Sequence, residues 1–167
     1  MRTCPSVALV GKGDIAGAVR EFQEEEVRLG PGDAKAKSNL GLALLSTGNT
    51  KAAVGALRAA TEAEPSSPLD HYRLGLALAS DQQLTPAVAE FRMALDLRPD
   101  YPEALNDLGV TLPSPGKFDK AIEQFRRALQ IRPNYAEARD NLGLAYLSKG
   151  DSIGAAGGVS RGAPSEA

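Results

Sequence analysis

Between Ala34 and Ser46, the apolar positions Leu40, Ala43 and Leu44 recur at three- and four-residue steps, and Gly48-Asn49 then interrupts them. After Thr50 the same spacing resumes with Val54, Leu57 and Ala60. Such steps place apolar side chains on one face of a helix, whereas a half-buried strand would alternate every second residue. The pattern therefore predicts a helix over 34–46 (helix A), a turn, and a second helix capped by Thr50 (helix B).

This pair recurs. Shifted by 34 residues, Leu-Gly is found at 40–41, 74–75, 108–109 and 142–143. Ala53, Ala87, Ala121 and Ala155 form one series, and Ala60, Ala94 and Ala128 a second. A large apolar residue recurs as Leu57, Phe91 and Phe125, and proline closes each stretch at 65, 99 and 133. A fixed period of this length is the signature of a solenoid. Glycine inside a helix costs ~1 kcal/mol relative to alanine, so its recurrence calls for a packing reason. The expectation is that helix A presses its backbone against helix B there, with Ala53, Ala87 and Ala121 as the matching small surfaces. Pro65, Pro99 and Pro133 stop helix B, while Pro68 and Pro102 fall in the first turn of the next helix A, where proline is tolerated. Tyr101 and Tyr135 share a register and are expected to cover the seam between repeats.

The succession Leu-Gly-x2-(Leu/Tyr), Ala-x3-(Phe/Leu), Ala, Pro resembles the tetratricopeptide repeat (TPR) family, and runs from Ala34 to Ala155 without insertion or deletion. Two positions depart from it. The family's tryptophan position holds Lys37, His71, Leu105 and Arg139, and its tyrosine position holds Leu44, Leu78, Leu112 and, once, Tyr146. The resemblance implies an all-α fold, a right-handed α-solenoid of antiparallel helix pairs. Three complete repeats are expected at 34–67, 68–101 and 102–135, with partial repeats at both ends, 1–33 and 136–155, and a disordered tail at 156–167.

Three stretches disturb the period. Ala18 and Phe22 repeat the Ala-x3-Phe signature, so Asp14 is read as the cap of a helix over Ile15–Leu29, with one extra residue in Gly30-Pro31-Gly32. Its partner would have to fit residues 1–10, around Pro5. In the third repeat Pro113 should end helix A near Thr111, giving a shortened helix and a displaced turn. After Asp151, Gly154, Gly157, Gly158 and Gly162 crowd the place of a helix B. A polar end cap is not legible at either end. The chain is read as a segment of a longer array, or as an open reading frame altered at both ends.

Bulk properties narrow the function. Of 167 residues, 43% are hydrophobic and 24% charged, with net charge −2. There is no electrostatic footprint for nucleic acid. Lys117, Lys120, Arg126, Arg127 and Arg132 make one basic flank, but Asp119 and Glu123 interrupt it and no aromatics stack within it. Glu123 and Arg127 have the i,i+4 spacing of a helix-stabilising pair. The lone cysteine, Cys4, excludes an internal disulfide, and no apolar run reaches the ~18–20 residues of a membrane span. The chain is read as cytoplasmic, with no membrane and no nucleic-acid partner. Gly11-Lys12-Gly13-Asp14 lacks the spacing of a phosphate loop. Glu24-Glu25-Glu26 reads as a solvated helix face. The only histidine, His71, has no partner base or nucleophile in the sequence and reads as an interhelical packing residue. No cofactor, metal ligand set or catalytic residue is expected.

The resemblance places partner contacts on the groove-facing registers of helix A. In the first repeat these are Lys35, Ser38, Asn39 and Leu42, followed in the second by Leu69, Tyr72, Arg73 and Leu76. The third contributes Glu103, Asn106, Asp107 and Val110, and the fourth Glu137, Asp140, Asn141 and Leu144. Leu42, Leu76, Val110 and Leu144 form an apolar stripe, edged by Ser46, Ser80, Ser114 and Ser148. Either the stripe receives a peptide laid along it or it packs within the helix layer. Some family members clamp a C-terminal carboxylate through lysine and asparagine. Those registers hold Ser38 and Leu42, or Tyr72 and Leu76, so that use is disfavoured. Charge along the registers changes from Lys35 and Arg73 to Glu103, Asp107, Glu137 and Asp140, which suits a peptide basic at its later end. The expected function is a non-catalytic scaffold binding a segment of a partner protein. The alternatives are a regulatory or targeting segment of a larger enzyme, such as a glycosyltransferase, and a self-associating solenoid.

Overall fold

A computed structural model describes residues 33–112 and 118–150, together with Gly17, Arg20 and Glu24. Among the described residues there are seven helices and no strand, so the fold is all-α: α1 Ala34–Ser46, α2 Thr50–Ala63, α3 Pro68–Ser80, α4 Leu84–Leu97, α5 Pro102–Thr111, α6 Phe118–Ile131 and α7 Ala136–Lys149. They fall into two bodies, Met1–Leu97 and Arg98–Ala167. In the first, α1 packs on α2, α2 on α3 and α3 on α4, and α1 also touches α3. In the second, α5 packs on α6 and α6 on α7, with α5 touching α7. Within each body, each helix thus packs on its chain neighbour, and the two A helices touch. The expected cap at Asp14, most of the helix over 15–29, Ser114 and the turn around it, and everything after Gly150 lie outside the described residues.

Local chemistry sets the helix ends. Asp33 accepts from the backbone N–H groups of Lys35 and Ala36, and Ser67 accepts from that of Asp70. Helix α2 begins at Thr50, but its cap is Asn49, whose side chain accepts from Ala52 N–H. Thr50 instead donates to Asp81 at 3.1 Å. Asp81 also accepts from Gln83, and these two hydrogen bonds hold its carboxyl below the ordinary value. Helices α1 and α3 end alike. Gly48 N–H bonds Leu45 C=O and Asn49 N–H bonds Leu44 C=O; Gln82 and Gln83 do the same to Ala79 and Leu78. This closure needs a left-handed residue, supplied by Gly48 (φ 77°) and Gln82 (φ 62°). Helix α5 stops at Thr111, before Pro113, and has 10 residues where α1 and α3 have 13.

The recurring glycine has a specific partner. A Cβ on Gly41 would lie 2.4 Å from Leu57 Cγ. On Gly75 it would lie 2.6 Å from Phe91 Cε1, and on Gly109 2.6 Å from Phe125 Cε1. The glycine therefore makes room first for the large residue of helix B. Ala53, Ala87 and Ala121 are buried nearby. Phe91 and Leu57 are fully buried, so either can shift only against packed neighbours.

One other expectation resolves differently. Arg127 hydrogen-bonds Gln124 at 3.2 Å instead of pairing with Glu123. Tyr101 and Tyr135 each lie under an arginine of the preceding turn: Arg98 is 4.5 Å and Arg132 5.1 Å from the ring centroids. These cation–π contacts recur at the same register in the two turns.

Gly75→Ala should lower the unfolding free energy by about 1–3 kcal/mol despite its better helix propensity, because the ring edge of Phe91 must shift. In a Phe91→Ala background the same glycine change should be neutral or stabilising. Urea unfolding of the four proteins measures this coupling, and an additive result would reject the contact.

Candidate functional site

The registers expected to meet a partner lie on the A helices α1, α3, α5 and α7. The structure divides them into two groups. Leu42 (41% exposed), Leu69 (43%), Val110 (60%) and Leu144 (60%) face outward, and Leu76 is half-buried. Lys35, Glu137 and Asp140 are also exposed, while Asn39, Tyr72, Arg73, Glu103, Asp107 and Asn141 are half-buried. Ser38 and Asn106, in contrast, are 2% and 0% exposed. Leu42, Val110 and Leu144 of the apolar stripe therefore do not pack within the helix layer, whereas Ser38 and Asn106 do.

Ser38 belongs to a closed polar cluster between α1 and α3. Its hydroxyl donates to the buried carboxylate of Asp70 and accepts from Arg73 Nη1 at 2.7 Å. The Arg73 guanidinium lies 3.9 Å from Asp70, so the buried charge is paired. Asn106 plays the same part between α5 and α7. Its Oδ1 accepts from Asn141 Nδ2 at 2.9 Å, and its Nδ2 donates to Asp107 at 3.2 Å and Glu137 at 3.3 Å. The bonds from Arg73 to Ser38 and from Asn141 to Asn106 join the same two registers of successive A helices. Residues read as ligand contacts thus tie neighbouring A helices together. Tyr72 similarly leans on the core, its ring 6.0 Å from that of Phe91.

The serines edging the stripe are partly occupied. Ser46 donates to Ala43 C=O and Ser148 to Leu144 C=O, both at 2.8 Å. His71 is buried, with Nδ1 2.7 Å from Glu90 and Nε2 3.0 Å from the carbonyl of Pro65. It is an interhelical packing residue, as its place in the sequence suggested. Arg139, at the same register, donates to the carbonyl of Pro133. Asp70 was missed by sequence reading, though it is the one acid in a register that otherwise holds Ala36, Ala104 and Ala138. Glu90 gave no such signal.

Electrostatics separate the second body. Arg132 bridges to Glu103 at 2.6 Å. Burial pushes the Glu103 carboxyl up, but the hydrogen bond from Arg132, a backbone hydrogen bond and the charges of Arg132 and Arg98 outweigh it and hold it below the ordinary value. The Tyr135 phenol is pushed up to about 12, first by burial and then by Glu137, Asp107 and Glu103, against Arg132. Among the described residues no cluster of His, Cys, Asp and Glu could hold a metal ion, and no helix is long and apolar enough to cross a membrane.

Asn106→Ala should cost about 1–3 kcal/mol in urea unfolding, because it strips the buried partner of Asn141. Asp140→Asn, at the same register but exposed, should stay within about 0.5 kcal/mol; equal effects would reject the inter-helix role of Asn106. The depressed Glu103 carboxyl stabilises the fold above the ordinary glutamate value of 4.5, and that contribution is lost as pH falls through its lower folded-state value. Glu103→Gln should therefore flatten the acid limb of the stability profile. A parallel profile would show that the ion pair does not couple to folding.

No functionally curated protein matches this sequence. Among solved structures, MamA is similar over 96% of this chain and 93% of its own, at 26% identity and TM-score 0.87. A MamA fragment from Desulfovibrio magneticus RS-1 covers 93% of this chain and 88% of its own, at 22% identity and TM-score 0.85. YrrB, a TPR protein with an unusual peptide-binding site, covers 92% of this chain and 78% of its own, at 23% identity and TM-score 0.76. The family described as tetratricopeptide repeat matches residues 7–68 and 39–102, and one described as TPR repeat matches 114–150. With helix pairs at the repeat spacing and family matches over more than half its length, the chain belongs to the tetratricopeptide repeat family.

Proposed function

We propose that this chain is a non-catalytic protein-interaction module that takes a segment of a partner protein on the outward faces of its A helices. The observation that carries this reading is the exposure of one apolar register, Leu42, Val110 and Leu144, on helices whose other faces are packed. Exposed apolar residues repeated at one register, unlike scattered ones, suit a binding surface. The polar residues beside them are fixed by hydrogen bonds between helices, which gives a peptide a preorganised surface at small entropic cost. That YrrB, of the same fold, has a peptide-binding site fits the reading.

Peptides selected by display against the full chain provide the test. The triple variant Leu42→Ser/Val110→Ser/Leu144→Ser should keep the helical circular dichroism of the wild type and lose the selected peptides. Undiminished capture by the triple variant would move binding to another surface.

A further inference from the structure

We infer that the partner segment is cationic where it meets α5 and α7: an apolar stretch edged by lysine or arginine. This rests on the A-helix reading above. Within the second body, Val110 and Leu144 are each 60% exposed, and carboxylates at helical spacing accompany them. Glu103 and Asp107 precede Val110 on α5, and Glu137 and Asp140 precede Leu144 on α7. Glu103 is answered by a cation of the chain itself, Arg132 at 2.6 Å. Asn106 holds Asp107 and Glu137 in place through one amide nitrogen. On Glu137, which is exposed, a neutral amide orients the carboxylate but does not cancel its charge. Asp140 is exposed.

Tyr135 lies within reach of the same carboxylates. Beyond burial, Glu137, Asp107 and Glu103 all disfavour its ionisation, so three carboxylates act on one place. No group of the described acids has the arrangement to hold a metal ion, and an apolar stripe gives an inorganic cation nothing to contact. A peptide with leucine-like anchors and flanking ammonium or guanidinium groups satisfies both features at once, with the charges drawing it in and setting its orientation. The first body does not share this character. Its exposed edge carries Lys35, and Arg73 is engaged with Ser38 and Asp70.

The test uses the full chain and two fluorescein-labelled synthetic peptides with the same leucine spacing, one carrying lysines and the other glutamates. Fluorescence anisotropy should show binding of the lysine peptide alone, weakening as sodium chloride is raised. Asp140→Lys with Glu137→Gln should weaken it about tenfold, since exposed ion pairs contribute little individually. The same change in net charge on B helices, Asp96→Lys with Glu62→Gln, should leave affinity within about twofold. Equal binding of both peptides, or equal weakening by both double variants, would overturn the inference. If neither synthetic peptide binds but the chain captures display-selected peptides, the cationic assignment fails and the A-helix reading stands. If the chain captures nothing, both fail.

Discussion

The close approach of a helix A glycine to a large helix B side chain is the constraint on which each repeat depends. A helix gives up ~1 kcal/mol of propensity to hold glycine, and here the space goes to Leu57, Phe91 or Phe125. That side chain fills the crossing as a knob filling the hole left by the missing Cβ. Because it is fully or almost fully buried, it fixes how closely the two helices lie. A crossing set by one pair of residues can be repeated with little else held constant. This explains how the intervening sequence varies from Lys37 to His71 to Leu105 at one register without breaking the period.

Contacts between repeats are of a different kind. Within a pair the joint is mainly apolar, with His71 and Glu90 as a polar contact in the second repeat; between successive A helices it includes buried polar groups, Ser38 with Asp70 and Arg73, and Asn106 with Asn141. A polar joint stabilises less than an apolar one of the same area, and it tolerates only the partner that completes its hydrogen bonds. Its benefit is register. Arg73 must meet Ser38, and Asn141 must meet Asn106, for the buried atoms to be satisfied. The same joints hold the outward residues beside them, so the order of the stack and the order of its exposed surface have one origin.

This division also explains what the sequence revealed. The helix bounds at 34–46, the early stop of α5 at Thr111 and the glycine crossing follow from spacing, proline and propensity, which act locally or repeat with the period. The cap at Asn49 in place of Thr50 is a one-residue slip between two good capping residues. Gln82 in a left-handed turn was not legible, because its side chain gives no sign of the conformation that Gly48 advertises at the same register. The candidate surface was legible by half. Leu42, Val110 and Leu144 point outward and Leu76 is half-buried, but Ser38 and Asn106 are buried. Periodicity identifies which residues share a register. It does not distinguish a polar residue turned to solvent from one turned to the next helix, since that depends on a partner about 35 positions away.

The burial of Ser38 and Asn106 changes how the surface can work. If those residues met the ligand directly, binding would have to break hydrogen bonds on which the stack relies. With them turned inward, a segment on the proposed surface would meet side chains whose replacement costs the fold little: exposed leucines, a valine and carboxylates at the rim. Specificity can then vary at the outward registers while the buried ones hold the helices in order. The two bodies already differ in this way, with Lys35 at the exposed edge of one and Glu137 and Asp140 at that of the other. The same separation of joint from surface would let one repeat plan carry different partners, because the forces proposed to recognise a segment act on atoms other than those that build the solenoid.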